Sequence, residues 1–273
     1  MNRGGALSST AVNLTRALGR ALVSEAVARQ PGVLQSLDPR VKVAGLFLLV
    51  LAATLSHRIV TVLALFAVAV VLGSLSRVSP AMLATRVWLA VLLFTGVIAL
   101  PALFLTPGTP LSAFSAWGLH VTSQGLASAA LLILRVETAA TLTTLLVLTT
   151  PWMHILKALR AFHVPQEVVM MLAMTHRYVF LLAETAGQML ESRQSRTVGV
   201  LDRALQRRIT ARTAGVLLSK SIELSSEVFL AMQSRGFRGE ARVLVDFRLR
   251  APDYLGVALF LAIVVLAVWK GRS

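Results

Sequence analysis

Apolar residues in this chain come in long blocks, not at the regular intervals of a soluble fold. Near-continuous apolar runs cover 41–55, 59–75, 87–105, 125–148 and 254–269. A helix crosses a bilayer upright with about 20 apolar residues, so the pattern predicts five membrane spans, some slightly short. Only Ser56, His57 and Arg58 separate the first two runs. A turn that short forces the pair to run antiparallel, as a hairpin. After residue 148 the blocks give way to a helical period. Pro151 opens a short helix to Ala161, and Pro165 opens a longer one. The stripe Val168, Leu172, Val179, Leu182, Ala186 and Met189 then follows helical spacing, and a second stripe runs through Leu217, Leu224, Val228 and Ala231. If continuous, 166–196 makes an arm of about 45 Å at 1.5 Å per residue. The chain is therefore expected to be an all-α integral membrane protein with about five transmembrane helices plus long amphipathic cytoplasmic helices. The expected divisions are 1–40, a cytoplasmic N-terminal segment with an amphipathic helix over 11–28; 41–148, four spans; 149–250, the cytoplasmic helical region; and 251–273, the last span and C-terminus.

Charge orients these blocks. Five arginines against Glu25 and Asp38 precede the first span, which predicts a cytoplasmic N-terminus. Nothing before Val41 is apolar for long enough to be a cleavable signal, so the first span is expected to direct insertion. Arg77 and Arg86 flank the next inner connection, whereas 106–123 lacks Lys, Arg, Asp and Glu altogether and is expected outside. From 151 to 250, fifteen basic residues face eight acidic ones, the mark of a cytoplasmic region. A net charge of +15 could suggest nucleic acid as a partner. The arginines are scattered beside apolar runs without interleaved aromatics, so topology and anionic headgroups account for them and no nucleic acid is expected. There is no cysteine, which excludes disulfides, iron–sulfur clusters and thiolate metal sites.

Several polar residues stand out against this background. Asp38 can cap the first span, with Pro39 at its first position and Arg40 and Lys42 holding the interface. Arg135 and Glu137 lie near mid-membrane. Two residues apart on a helix, they point to different sides and each needs its own partner, in the bundle or on another subunit. The histidines His57, His120, His154, His163 and His176 have no metal-ligand spacing. No phosphate-binding loop, nucleophile elbow or carboxylate pair is present. The chain is thus expected to be no enzyme and to hold no metal or cofactor of its own.

Two helix ends are unusual. Ser234-Arg235-Gly236 closes the second amphipathic helix, and Ser195-Arg196-Thr197 closes the first. An arginine between a small residue and a turn puts a five-donor fork on an exposed tip. Taken with Leu37-Asp38-Pro39-Arg40-Val41-Lys42, the passage from Thr149-Thr150-Pro151 to Val164-Pro165, and His176-Arg177-Tyr178, these tips resemble the T component of energy-coupling-factor (ECF) transporters. The likeness is to the cobalt and nickel branch, the CbiQ/NikQ type, and covers most of the chain from about Ser36. It implies a scaffold in the bacterial cytoplasmic membrane whose two coupling helices dock on two ABC-type ATPases through Ser195, Arg196, Thr197 and Ser234, Arg235, Gly236. ATP and Mg would be bound by those partners, and a separate membrane-embedded S component would hold the metal. Thr197 departs from the glycine of the family pattern, and Gly199 is a nearby source of flexibility. Rival readings are a self-contained ion permease using Arg135 and Glu137, or the T component of a vitamin-specific ECF importer.

Overall fold

In the computed structural model the described residues are 28, 32–105, 122–196, 202–237 and 251–272. The expected amphipathic helix at 11–28, the uncharged loop, Thr197 and Gly199 fall wholly or largely outside them. The described residues form helices α1 (Val33–Ser36), α2 (Pro39–Leu55), α3 (Ile59–Leu75), α4 (Pro80–Leu83), α5 (Leu89–Leu105), α6 (Ser123–Thr149), α7 (Trp152–Ala161), α8 (Gln166–Ser195), α9 (Arg203–Ser234) and α10 (Ala251–Arg272). A π-helical turn, Ala84–Trp88, joins α4 to α5. Ser123–Thr149, Gln166–Arg193 and Ala251–Gly271 are long and apolar enough to cross a membrane, and Ile59–Leu75 and Leu89–Pro101 are shorter apolar helices. The protein is an all-α membrane protein.

The chain divides into two units: residues 25–158 with 247–273, and residues 1–24 with 159–246. In the first, α6 is the central element. Helices α2, α3 and α5 all pack on it, and α10 packs on α2. The hairpin partners α2 and α3 do run antiparallel, for the α3 end returns to α1, where the Leu34 N–H donates to Ser76 Oγ at 3.3 Å. They touch each other far less than either touches α6. The short turn sets their direction, and α6 supplies their packing.

The membrane-unit helices are largely apolar all round, and their inner faces combine small residues with leucines. On α2 the buried residues include Gly45, Leu46, Leu49, Ala52 and Ala53, whereas Phe47, Leu51 and Leu55 are exposed where lipid would lie. Helix α6 buries Gly125, Ala129, Thr138, Thr141 and Thr149. Thr138, Thr141 and Thr149 each donate to the carbonyl four residues back at 2.7 Å, so their hydroxyls enter the bundle already satisfied. Trp88, at the end of the π turn, donates its indole N–H to Thr141 Oγ1 at 3.0 Å and stacks obliquely on Phe66.

The second unit contains α8 and α9, which pack against each other. On α8, Leu172, Leu182, Ala186 and Met189 are partly covered as expected, whereas Val168 and Val179 are exposed, and Gly187 and Leu190 are the buried positions near its end. The stripe was read from helical spacing of apolar residues, which passes over a glycine, and a glycine permits the closer approach. On α9, Leu217, Leu224 and Val228 are partly covered as expected, but Met232 takes the place given to Ala231.

Gly45 tests the packing of α2 on α10, because a Cβ there would lie 2.4 Å from the Phe260 ring, whereas one at Gly96 meets nothing within 4 Å. Gly45→Ala should destabilise the protein by about 1–3 kcal/mol through overpacking, and Gly96→Ala should be neutral or stabilising. Thermal unfolding in detergent measures both. Equal melting temperatures would contradict this packing.

Candidate functional site

The end of α9 is built by its own backbone. Gly236 has φ +81°, the left-handed region that glycine enters without a Cβ clash. The Phe237 N–H donates to the Met232 carbonyl at 3.0 Å and the Gly236 N–H to the Gln233 carbonyl at 2.9 Å. This pair of bonds is the Schellman closure, which satisfies carbonyls the helix would otherwise leave open. Ser234 Oγ donates to the Ala231 carbonyl at 2.9 Å. Arg235 is left exposed at the last position before the turn. The same closure ends α3 at Arg77 (φ 57°) and α7 at His163 (φ 63°), where a side chain is carried in the left-handed region.

The end of α8 differs. Ser195 Oγ donates to the Glu191 carbonyl at 3.1 Å, and the Arg196 N–H donates to the Arg193 carbonyl at 3.2 Å, a tightened last turn. Both residues are exposed. Thr197 lies outside the described residues. Arg193 and Arg196 line one side of a cleft of about 500 Å³, with Met189 and Ser192, and α9 provides Ile209, Thr213 and Val216 opposite. Two arginines in a lining that also includes Met189, Ile209 and Val216 suit an acidic group carried beside an apolar one. Arg235 stands 19 residues beyond Val216 on the same helix, about 28 Å along its axis. The two tips are therefore separate surfaces.

The intramembrane pair is divided as its spacing requires. Arg135 donates through Nε and a terminal nitrogen to the Ser56 carbonyl, at the C-terminal end of α2. Carbonyls there lack helical partners and carry the negative end of the helix dipole, so the guanidinium serves as a cap. Glu137 is buried at 6% exposure, and neither carboxylate oxygen has a hydrogen-bond partner among the described residues.

Lys42 requires a correction. Expected at the headgroup interface, it is 2% exposed, and its Nζ donates to the Thr149 carbonyl at 3.3 Å. It lies on the same face of α2 as Gly45, Leu46 and Leu49, and that phase turns it inward. Asp38 caps as expected, accepting from the Arg40 N–H at 2.8 Å. Its own N–H donates to Asp253 Oδ1 at 2.7 Å. Asp253 was not singled out from sequence. Its position in the first turn of a span, two residues from the start of α10, was the available signal. Among the described residues no group of three or more histidines and carboxylates is placed to hold a metal ion.

Comparison with known proteins gives a consistent picture. A family model described as cobalt transport protein, CbiQ, matches residues 31–245. The chain is 32% identical to the cobalt transport protein CbiQ of Rhodobacter capsulatus, over 64% of this chain and 72% of that one. It is 30% identical to the nickel permease LarQ of Lactiplantibacillus plantarum, over 45% of each chain. It is 25% identical to the energy-coupling factor transporter transmembrane protein EcfT of Streptococcus equi, over 87% of this chain and 91% of that one.

Glycine at residue 236 spares the α9 turn the strain that a β-branched side chain would bring to φ +81°. Gly236→Val should cost the closure about 1–2 kcal/mol and speed amide exchange at Gln233 to Phe237 by about 5- to 30-fold, leaving the spans intact. Exchange followed by mass spectrometry reads this directly. Unchanged protection would mean that the turn does not need a left-handed residue.

Proposed function

The chain belongs to the CbiQ cobalt transport protein family, and from that premise we propose that it is the transmembrane T subunit of an ECF-type ABC importer. In this reading it couples ATP hydrolysis by two partner ATPases to uptake of cobalt or nickel ions through a separate membrane-embedded S subunit. The observation that carries the reading is the pair of separated arginine tips on α8 and α9. Each guanidinium can make charge-assisted hydrogen bonds to an acidic groove, worth about 1.5–3 kcal/mol apiece. A helix ending in a closed turn also transmits a displacement that a loop would absorb. Two tips about 28 Å apart along α9 suit two partner subunits better than one.

The contacts of the membrane unit support a cytoplasmic place for α8 and α9. Lys42 holds the end of α6 beside the first turn of α2, and Asp253 holds the start of α10 beside the same turn. The chain thus leaves α6 and enters α10 at one end of α2, so the residues between must cross the bilayer an even number of times. Helix α9 carries Arg207, Arg208, Arg212, Lys220, Glu223 and Glu227 and is no candidate span. With ten residues, α7 is too short to cross. Helix α8 has the length and hydropathy to span, but among the described residues between α6 and α10 no second helix qualifies to return the chain. Its apolar faces are therefore read as protein-binding surface. With the basic N-terminal segment inside, the membrane is read as the bacterial cytoplasmic membrane and the 56–58 turn faces outward.

A self-contained permease would need polar groups along a path. Arg135 is engaged on the Ser56 carbonyl as a helix cap, which leaves that reading without a cation-conducting series.

Two experiments test the proposal. Replacing Arg196 and Arg235 together by Glu should reduce copurification of the ATPase subunits below about a tenth of wild type, since like charges would then face the groove. Full copurification would remove the docking role. Because the chain has no cysteine, His57→Cys and Ser192→Cys give clean labels. An impermeant thiol reagent should modify the first from outside intact cells and leave the second untouched, and the opposite pattern would reverse the topology.

A further inference from the structure

The end of the membrane unit where α6 stops holds a buried cluster that the arginine tips do not explain. Lys42 on α2, Asp38 at its cap, Thr149 at the end of α6 and Asp253 at the start of α10 are 2%, 8%, 0% and 3% exposed. A lysine in the first turn of a span could extend its stem to the headgroups. This one turns inward onto the Thr149 carbonyl, at the negative end of the α6 dipole. The charges of Asp38 and Asp253 act on it there. An ammonium this deep is tolerated only where oxygens and opposite charge hold it.

The placement matters because of what lies between the residues it joins. Thr149 is the last residue before the long cytoplasmic segment and Asp253 is among the first after it. Both are fastened to one turn of α2, one by the Lys42 side chain and the other by the Asp38 N–H. The same charges reach the first turn of α7: burial holds the His154 imidazole below its ordinary range, Lys157 and Lys42 push the same way, and Asp38 opposes them. At its far end α2 is held again, by Arg135 on the Ser56 carbonyl and by the His57 N–H on the Gly271 carbonyl at 3.5 Å. A helix fixed at both ends tilts as a body when one end is displaced.

We propose that Lys42 is a positioning residue for coupling, and that its cluster with Thr149, Asp38 and Asp253 is the joint through which displacement of the cytoplasmic helices reaches α2 and the membrane bundle. The inference rests on the coupling role proposed above. Without the joint, the tips still dock and the partners still hydrolyse ATP, but the movement is taken up in the chain at residues 150–151.

Two readouts test this, one independent of transport. In the lone chain in detergent, a cysteine at position 150, where Thr150 is 2% exposed, should react slowly with a maleimide. Adding Lys42→Met should make it react at least about ten-fold faster. In liposomes containing the complete complex, Lys42→Met should lower cobalt or nickel ions imported per ATP hydrolysed by about ten-fold, with assembly and hydrolysis rate kept. A merely structural role would lower assembly, hydrolysis and uptake together and would overturn the proposal. Asp253→Asn preserves shape and an acceptor oxygen while removing the charge. It should shift both readouts in the same direction, and it decides the matter if Lys42→Met does not assemble. An unchanged thiol rate or an unchanged import per ATP overturns the joint. If the wild-type complex shows no ATP-driven uptake, the coupling role itself falls, and this inference falls with it, whereas the thiol rate still reports whether the buried contact exists.

Discussion

Inside a bilayer, a helix end buried in protein must give its open carbonyls to a donor on the same protein, because no water is there to take them. This constraint is met at both ends of α2 and organises the membrane unit. At one end Lys42 takes the last carbonyl of α6, and Asp253 takes the N–H that opens α2. At the other, Arg135 takes the carbonyl that closes α2. Helices α6 and α10 thereby acquire a fixed register against α2 through side chains that hydropathy alone would assign to water. The apolar contacts of Leu46, Leu49, Ala53, Leu65, Leu142 and Phe260 fill the space between these ends. Lipid tails are as apolar as leucine, so the specificity of the arrangement comes from polar ends and from small residues that let backbones approach.

That distribution of forces explains what could be read from sequence. The apolar runs located the helices to within a few residues, because length and hydropathy are what the bilayer selects. The inward faces were harder to read. Beyond Lys42, α2 is apolar almost all round, so hydropathy did not distinguish Phe47 and Leu51, which are exposed, from Gly45, Leu46, Leu49 and Ala52, which are buried. Lys42 was misread for the same reason: a lysine at a span end usually snorkels, and only its phase with Gly45 and Leu49 marks it as internal. On α8 the spacing of apolar residues found Leu172, Leu182, Ala186 and Met189, which are partly covered, but passed over Gly187 and Leu190, which are buried.

The turn at the end of α9 was legible because it rests on a local rule. A glycine after the last helical residue invites a left-handed closure, and Gly236 adopts it. The pairing of Arg135 with the Ser56 carbonyl was not legible, since its partner is a backbone oxygen 79 residues away. Nor could sequence foresee that Arg193 and Arg196 share a cleft with Ile209 and Thr213, which depends on how α8 meets α9. The functional reading thus joins two kinds of feature: tips specified within five residues of chain, and buried polar ends specified by the fold. The proposed coupling role calls on both, the tips to receive a partner and the buried polar ends to hold α6 and α10 on α2.

The central claim is that this chain transmits the work of other subunits and does not transport by itself. The most direct measurement is uptake of radiolabelled cobalt and nickel ions into liposomes, first with this chain alone and then with its ATPase and substrate-binding partners. The account predicts uptake only in the complete complex, and only with hydrolysable ATP. Uptake by the lone chain down a metal gradient would contradict it.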